Sequence, residues 1–371
     1  YRRQRQMCIR DRYTSYNSFE SGLKRYRSAK MGFIIICVLG VVLLCGVSCQ
    51  VDGRDIALLD VYRIIWEHLC GASYEYGTPE YWDDYIVWNT RLPRIAMTIL
   101  AGMALSTCGV VMQSLMSNPL ADPYTTGISS GACFGAILSI ALGFSFGSML
   151  GQSGIVGNAF IMALVPAMIV VLLSKIMYTS PATLILIGTA VSYMFGSLNT
   201  LVLVYADEET LSTAYLWQIG SFDNTVWSEL YIPGAVTLVG SVLMIFLAGK
   251  LNVMMMGEDD ARSMGLDVEK FRTFALVLMS IMVASIISYT GILGFVGLVV
   301  PHIVRMVIGS DNRYIMPASM AFGAALLLAT DLIARLVVHP SEIPAGIILM
   351  MIGGPMLLYL IVKRKGYGGV Y

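Results

Sequence analysis

Charged side chains are scarce in this chain, so the few that recur at defined spacings stand out. Arg91 and Arg94 bracket Leu92-Pro93 just ahead of a long apolar run. Arginine forms bidentate pairs with carboxylates, so two of them at one membrane edge can anchor an acidic partner. Snorkelling to lipid headgroups explains them equally well. Asp331 and Arg335 stand four residues apart in another apolar run, the spacing at which an acid and a base pair on one helix face. Ionisable groups inside spans are costly and are either paired or functional. The segment Gly257-Glu258-Asp259-Asp260-Ala261-Arg262-Ser263-Met264-Gly265-Leu266 is short, charged and bounded by glycines. It reads as a surface helix able to dock into another protein's groove, or as a solvated loop. Asp122 sits between Pro119 and Pro123, where a helix cannot continue, and reads as a turn residue or a helix cap.

Other chemistries lack their residues. No HExxH and no paired aspartates within a span occur. The seven cysteines include no CxxC pair, and most lie in apolar stretches where cysteine acts as a small hydrophobe. Three histidines are too scattered for a metal site, so no resident metal or cofactor is expected. No GxxxxGK[ST] phosphate loop is present, so ATP hydrolysis by that route would need a partner.

These residues must be held by elements that suit a bilayer. Hydrophobic residues make up 57% of the 371 positions and charged residues 13%. A soluble domain carries about 25% charged residues. Acids and bases balance at 24 each, so bulk charge gives no reason to expect a nucleic-acid partner. Crossing the hydrocarbon takes about 20 apolar residues. Runs of that kind are Met31–Val51, Ile95–Ala121, Pro123–Ser174, Ile176–Ala206, Leu230–Gly249, Thr273–Val304, Tyr314–Val338 and Ile343–Val362. Two of these are long enough for two crossings, with breaks at Gly143–Gly157 and at Gly291, Gly294 and Gly297. The expectation is an all-α polytopic membrane protein of about ten transmembrane helices.

Basic loops set the orientation. Lys24, Arg25, Arg27 and Lys30, the loop Lys250–Arg272, and Lys363-Arg364-Lys365 fall on one side, expected to be cytoplasmic. The acidic, aromatic segment Asp52–Asn89 and the acids Asp207, Glu208 and Glu209 fall on the other. Both termini are therefore expected in the cytoplasm. Residues 1–30 are expected to form a cytoplasmic tail, 31–365 a single ten-helix transmembrane domain and 366–371 a second cytoplasmic tail. Tyr1–Arg12 reads as translated adapter sequence from an assembly edge and is expected to carry no function. Gly127, Gly131 and Gly135 recur every four residues, a pattern for close helix packing within the subunit.

Three blocks go further. Arg91–Gly135, Gly294–Arg305 (GFVGLVVPHIVR) and Thr330–Gly346 with Gly353-Gly354-Pro355 resemble, in order, signatures of the FecCD family of ABC permeases. The resemblance runs from about residue 30 to the end of the chain. It implies a type II ABC importer permease fold in a bacterial plasma (inner) membrane. It also implies a dimer, with a homodimer expected, two cytoplasmic ATPase subunits that use the ATP, and an extracytoplasmic substrate-binding protein. Substrate would cross at the dimer interface, largely along the fifth span. Arg91, Arg94 and Arg335 match the arginines that meet acids of the binding protein. Gly257, Ala261, Arg262, Gly265 and Leu266 match the helix that inserts into the ATPase. Thr179 and Ser180 lie nearest the inner-gate position, although Pro181 departs from the pattern. The implied cargo is an iron chelate, with a ferric siderophore first and haem or cobalamin as alternatives. The chain would then be a transport subunit and no enzyme. An ion-coupled secondary transporter is the other reading. It needs an acid at mid-membrane, for which Asp331 is the candidate.

Overall fold

The computed structural model describes the backbone of all residues except 1, 52–55, 73, 147–150, 178–180, 339–340 and 367–371. Side chains are described for those residues from 26 onward, leaving out 177, 181, 360–361 and 363–366 as well. The described elements are helical: α1 (Arg2–Gln50), α2 (Leu58–Leu69), α3 (Pro79–Tyr85), α4 (Leu92–Leu115), α5 (Ile128–Leu142), α6 (Gln152–Met177), α7 (Pro181–Leu203), α8 (Glu208–Ile219), α9 (Tyr231–Met254), α10 (Glu258–Ser263), α11 (Val268–Thr290), α12 (Val296–Ile308), α13 (Asn312–Val337) and α14 (Ala345–Gly366). In hydrocarbon every backbone polar group must be bonded internally, which leaves helices as the economical way to cross.

Seven of the described helices are long and apolar enough to span a bilayer, and three more apolar helices are shorter: Ile128–Leu142, Val296–Ile308 and Ala345–Tyr359. Together they fall on the expected crossings. The two breaks lie where the glycines predict them. Gly143 ends α5 at a φ of 62°, and Gly291 ends α11 at 70°. Phe295 then opens α12 in the left-handed region, at a φ of 67°, which a residue with a Cβ adopts only when its surroundings hold it there. Its ring rests against Gly353 of α14, where no side chain competes for the space. The first helix already begins at Arg2, so helix rather than irregular tail precedes the first span.

The centre of the bundle is α4 with α11. In their most apolar windows 78% and 72% of residues are buried, against 22% for α1 and α7 at the periphery. Small residues make the central packing close. A methyl group on Gly102 would meet the Gly323 carbonyl oxygen of α13 at 2.5 Å, and one on Gly109 would run into the Gly297 carbonyl of α12. Gly131 and Gly135 of α5 face the backbone of α6 at Met162 and Asn158, so this repeat does serve packing within the subunit. Asp122 caps the single 3₁₀ turn Pro123–Thr126 that precedes α5, accepting from the Tyr124 amide at 2.7 Å.

Candidate functional site

The starts and ends of the helices sort the polar residues onto two faces. On one face the end of α1, the start of α4, the end of α13 and the loops after α8 and α13 converge on the arginines. A π-helical turn, Ile86–Arg91, leads into α4 and turns Arg91 inward. There it is 4% exposed and donates to the Cys49 carbonyl. Arg335 is 2% exposed and donates to the Ser48 carbonyl at 3.1 Å and to the Ser48 hydroxyl. The last turn of a helix leaves carbonyls without intrahelical donors. Here two guanidiniums from neighbouring helices supply them, and their charge suits the negative end of the helix dipole. Expected as contact residues for a partner, Arg91 and Arg335 are in this structure buried ties between α1, α4 and α13.

Arg94 is the centre of the cluster. It bonds Asp331 at 2.9 Å, Asp223 at 3.0 Å and Glu342 at 2.6 Å, with 13% of its side chain exposed. Arg335 reaches the same Asp331 at 3.2 Å, as the four-residue spacing predicts. Asp331 is therefore clamped between two guanidiniums near the end of α13. That leaves no free mid-membrane acid at this position to carry a coupling ion. Glu342 lies in the loop after α13. Burial and a hydrogen bond shared with Asp223 raise its pKa above the usual carboxylate range, outweighing the pull of Arg94. Asp223 and Glu342 carry no sequence signal as partners of Arg94. One lies in a short polar loop, and the other is 248 residues away along the chain.

On the opposite face α10 forms where its glycines predict. Gly257 precedes it at a φ of 119° and Gly265 follows at 84°. The Gly265 amide bonds the Arg262 carbonyl at 2.9 Å and the Leu266 amide bonds the Ala261 carbonyl at 3.1 Å, so the left-handed glycine closes the helix. Ala261 is fully buried and holds the helix to the bundle, and Leu266 packs on the main core. Arg262 is half-exposed and pairs with Glu269 at 3.3 Å and more loosely with Glu258 at 3.9 Å. Met256 and Met264 are exposed beside it. Methionine is unbranched and adapts its shape to what it meets. Above α10, Arg305 of α12 is held by neutral groups: Gln113 Oε1 at 3.4 Å, Ser114 Oγ at 3.1 Å and the Met255 sulfur at 3.3 Å. The sequence blocks include Arg305, but nothing in them marks these neutral partners. Thr179 and Ser180 lie outside the described residues.

A third feature is the open face of α7, the fifth of the crossings. Thr189, Ser197 and Thr200 are exposed, each hydroxyl donating to a carbonyl one turn back at 2.8, 2.9 and 3.1 Å. Tyr193 stands among them, and nothing lies against Gly196. The open face of α1, by contrast, presents Ile35, Ile36, Leu39 and Leu43. Hydroxyls whose protons are used internally still offer lone pairs, so this face is more polar than the open face of α1.

The chain as a whole is similar to known proteins. The family model described as the FecCD transport family matches residues 34–363. The hemin transport system permease of Yersinia pestis is 35% identical over 280 residues, covering 75% of this chain and 84% of that protein. The iron(3+)-hydroxamate import system permease of Bacillus subtilis is 31% identical over 346 residues, covering 92% of this chain and 86% of the relative. A solved metal-chelate type ABC transporter in an inward-facing conformation superposes with a TM-score of 0.76 at 28% identity, covering 89% of this chain and 98% of that one.

Proposed function

The chain belongs to the FecCD transport family, and from that premise we propose that it is the membrane-spanning permease subunit of an ATP-driven importer of metal chelates, with a ferric siderophore as its cargo. The observation that carries this reading is α10, a helix fixed by a buried alanine and two left-handed glycines that presents methionines and loosely paired charges outward. Such an element is built to be gripped by a separate protein. A partner ATPase fits that role, and the basic loops on the same face support a cytoplasmic position for it.

Two copies of the chain would bring their α7 faces together around the path. A loaded binding protein would dock on the face that carries Arg94. Its acids would compete with Asp223 and Glu342 for that guanidinium, while Arg91 and Arg335 hold the rim in shape. ATP binding by the paired ATPases would then shift the two permeases between outward and inward states through α10. Such a shift requires the ATPases to bind the two states with different affinity. The cargo passes without covalent change. The names of the relatives, a hemin permease and a hydroxamate permease, support a chelate cargo. Cobalamin and haem remain the alternatives within the same family.

The test is uptake into proteoliposomes containing the permease, its ATPase and its binding protein, with labelled ferric siderophore, haem and cobalamin offered in parallel. ATP-dependent accumulation of the siderophore alone is expected. Accumulation of haem or cobalamin instead corrects the cargo. ATPase activity that ignores the loaded binding protein, with all partners folded, overturns the importer reading.

A further inference from the structure

The segment between the first two crossings carries a helix whose position raises a separate question. Gln50 at the end of α1 donates to the Ile56 carbonyl at 3.2 Å, so the chain reverses at once. The α2 helix then packs back along α1. Its Tyr62 hydroxyl donates to the Val42 carbonyl, and Leu58 and Tyr62 fill the space left by Gly46. Val42 is eight residues short of the end of α1. At a rise of about 1.5 Å per residue, Tyr62 therefore reaches about 12 Å back along the span.

The inner face of α2 gives the same depth. Val61 and Ile64 are buried in a cluster with Cys49, Val87, Ile95 and Leu328. Ile95 lies in the first turn of α4, and Leu328 lies more than two turns before the end of α13. An element packed on these residues runs beside the spans rather than above them.

The other face of α2 is open. Leu59, Trp66 and Leu69 are 82%, 70% and 66% exposed. Three large apolar side chains on one face of a 12-residue helix are more than a water-facing surface tolerates without a reason. Between them Arg63 pairs with Asp60 at 3.0 Å and lies 3.9 Å from Glu67, which lowers the cost of holding charge near lipid. The chain that follows adds Tyr76, Trp82 and Tyr85, all exposed. Trp and Tyr with one apolar and one polar end collect at the level of the headgroups.

We propose that α2 is an interfacial helix, with Leu59, Trp66 and Leu69 seated in the headgroup–acyl boundary of the leaflet on the arginine face. There they continue the lipid-facing surface of Ile35, Ile36, Leu39 and Leu43 on α1. The occupant of this face is the bilayer, chosen over a second copy or a binding protein by that continuity and that depth. The inference does not depend on the cargo.

The experiment is tryptophan fluorescence of the full chain in phosphatidylcholine–phosphatidylglycerol vesicles, with phosphatidylcholine brominated either near the glycerol or near the chain ends. Subtracting the Trp66→Phe variant isolates Trp66 among the five tryptophans. Lipid brominated near the glycerol is expected to quench this component about twofold more than lipid brominated near the chain ends, as a helix seated at the interface requires. Aqueous iodide should quench it weakly. Quenching by iodide with none by brominated lipid overturns the proposal, because the face then meets water. Quenching by neither also overturns it, because protein then covers the face. Should Trp66→Phe perturb the fold, Leu69→Trp compared with the parent chain gives the same three outcomes by the signal it adds.

Discussion

The arginine face and the α10 face each gather charge at helix ends, but they do so in opposite ways. Around Arg94, three carboxylates close on one guanidinium, and Asp331 is shared with Arg335. Asp331 and Arg335 are buried, Arg94 is nearly so, and the bonds of Arg94 tie α4 to α13 and to two loops. On the α10 face the pairs of Arg262 stay exposed, Arg272 is buried and pairs with Glu258 of α10, and the partly buried Arg305 is held by an amide, a hydroxyl and a thioether. The first arrangement fixes a shape. The second leaves the pairs of Arg262 open at the surface and meets Arg305 with weak, neutral bonds. The two arrangements thus differ in how many acids meet one guanidinium and in how exposed the central arginine is, 13% for Arg94 against 52% for Arg262.

The contrast breaks most plainly at Asp331. Asp331→Asn would leave Arg94 and Arg335 facing each other without their shared acid. Removing one member of a buried pair costs about 3–5 kcal/mol. A large drop in thermal unfolding temperature in detergent is expected, and a drop no greater than that of an exposed-pair variant would erase the distinction between the faces. The next effect is at Glu342, through pH. Its folded pKa is raised from an ordinary value of 4.5. The stability it contributes is therefore present below pH 4.5 and lost as pH rises through the higher folded value. Glu342→Gln should flatten that part of the stability–pH curve, and an unchanged slope would mean that another group sets it. The smallest stability effect is at Arg262. Arg262→Ala removes an exposed pair, so stability should change by less than about 1 kcal/mol. ATP-driven uptake in proteoliposomes should nonetheless fall. Full uptake would show that this arginine is ordinary surface.

What the sequence made legible was whatever bilayer thickness or local spacing controls. The crossings follow from run length, because hydrocarbon sets the number of apolar residues a helix needs. The breaks after Leu142 and Thr290 follow from glycines that adopt positive φ. The Asp331–Arg335 pair and the α10 helix are local patterns as well, and both formed. What was not legible depended on distant segments meeting. Arg91 read as an anchor for acids or a snorkelling charge and Arg335 as the partner of Asp331, because nothing in their own stretches tells of the open carbonyls of Cys49 and Ser48 on α1. Asp223 and Glu342 were invisible because loop acids acquire partners only when the loops are folded over the rim. The acidic composition of Asp52–Asn89 read as an outer segment, yet that composition concealed the apolar faces of α2.

The glycine contacts of α4 have a consequence for movement. Gly102 against Gly323 and Gly109 against Gly297 bring the backbone of α4 onto α13 and α12 with no side chains between. Side chains at an interface can exchange rotamers and let helices slide or roll. Backbones in direct contact have no such bearing surface. The trio α4, α12 and α13 must therefore travel as one piece, like the fixed frame of a hinge. The α7 span, with few buried residues, lies outside that frame.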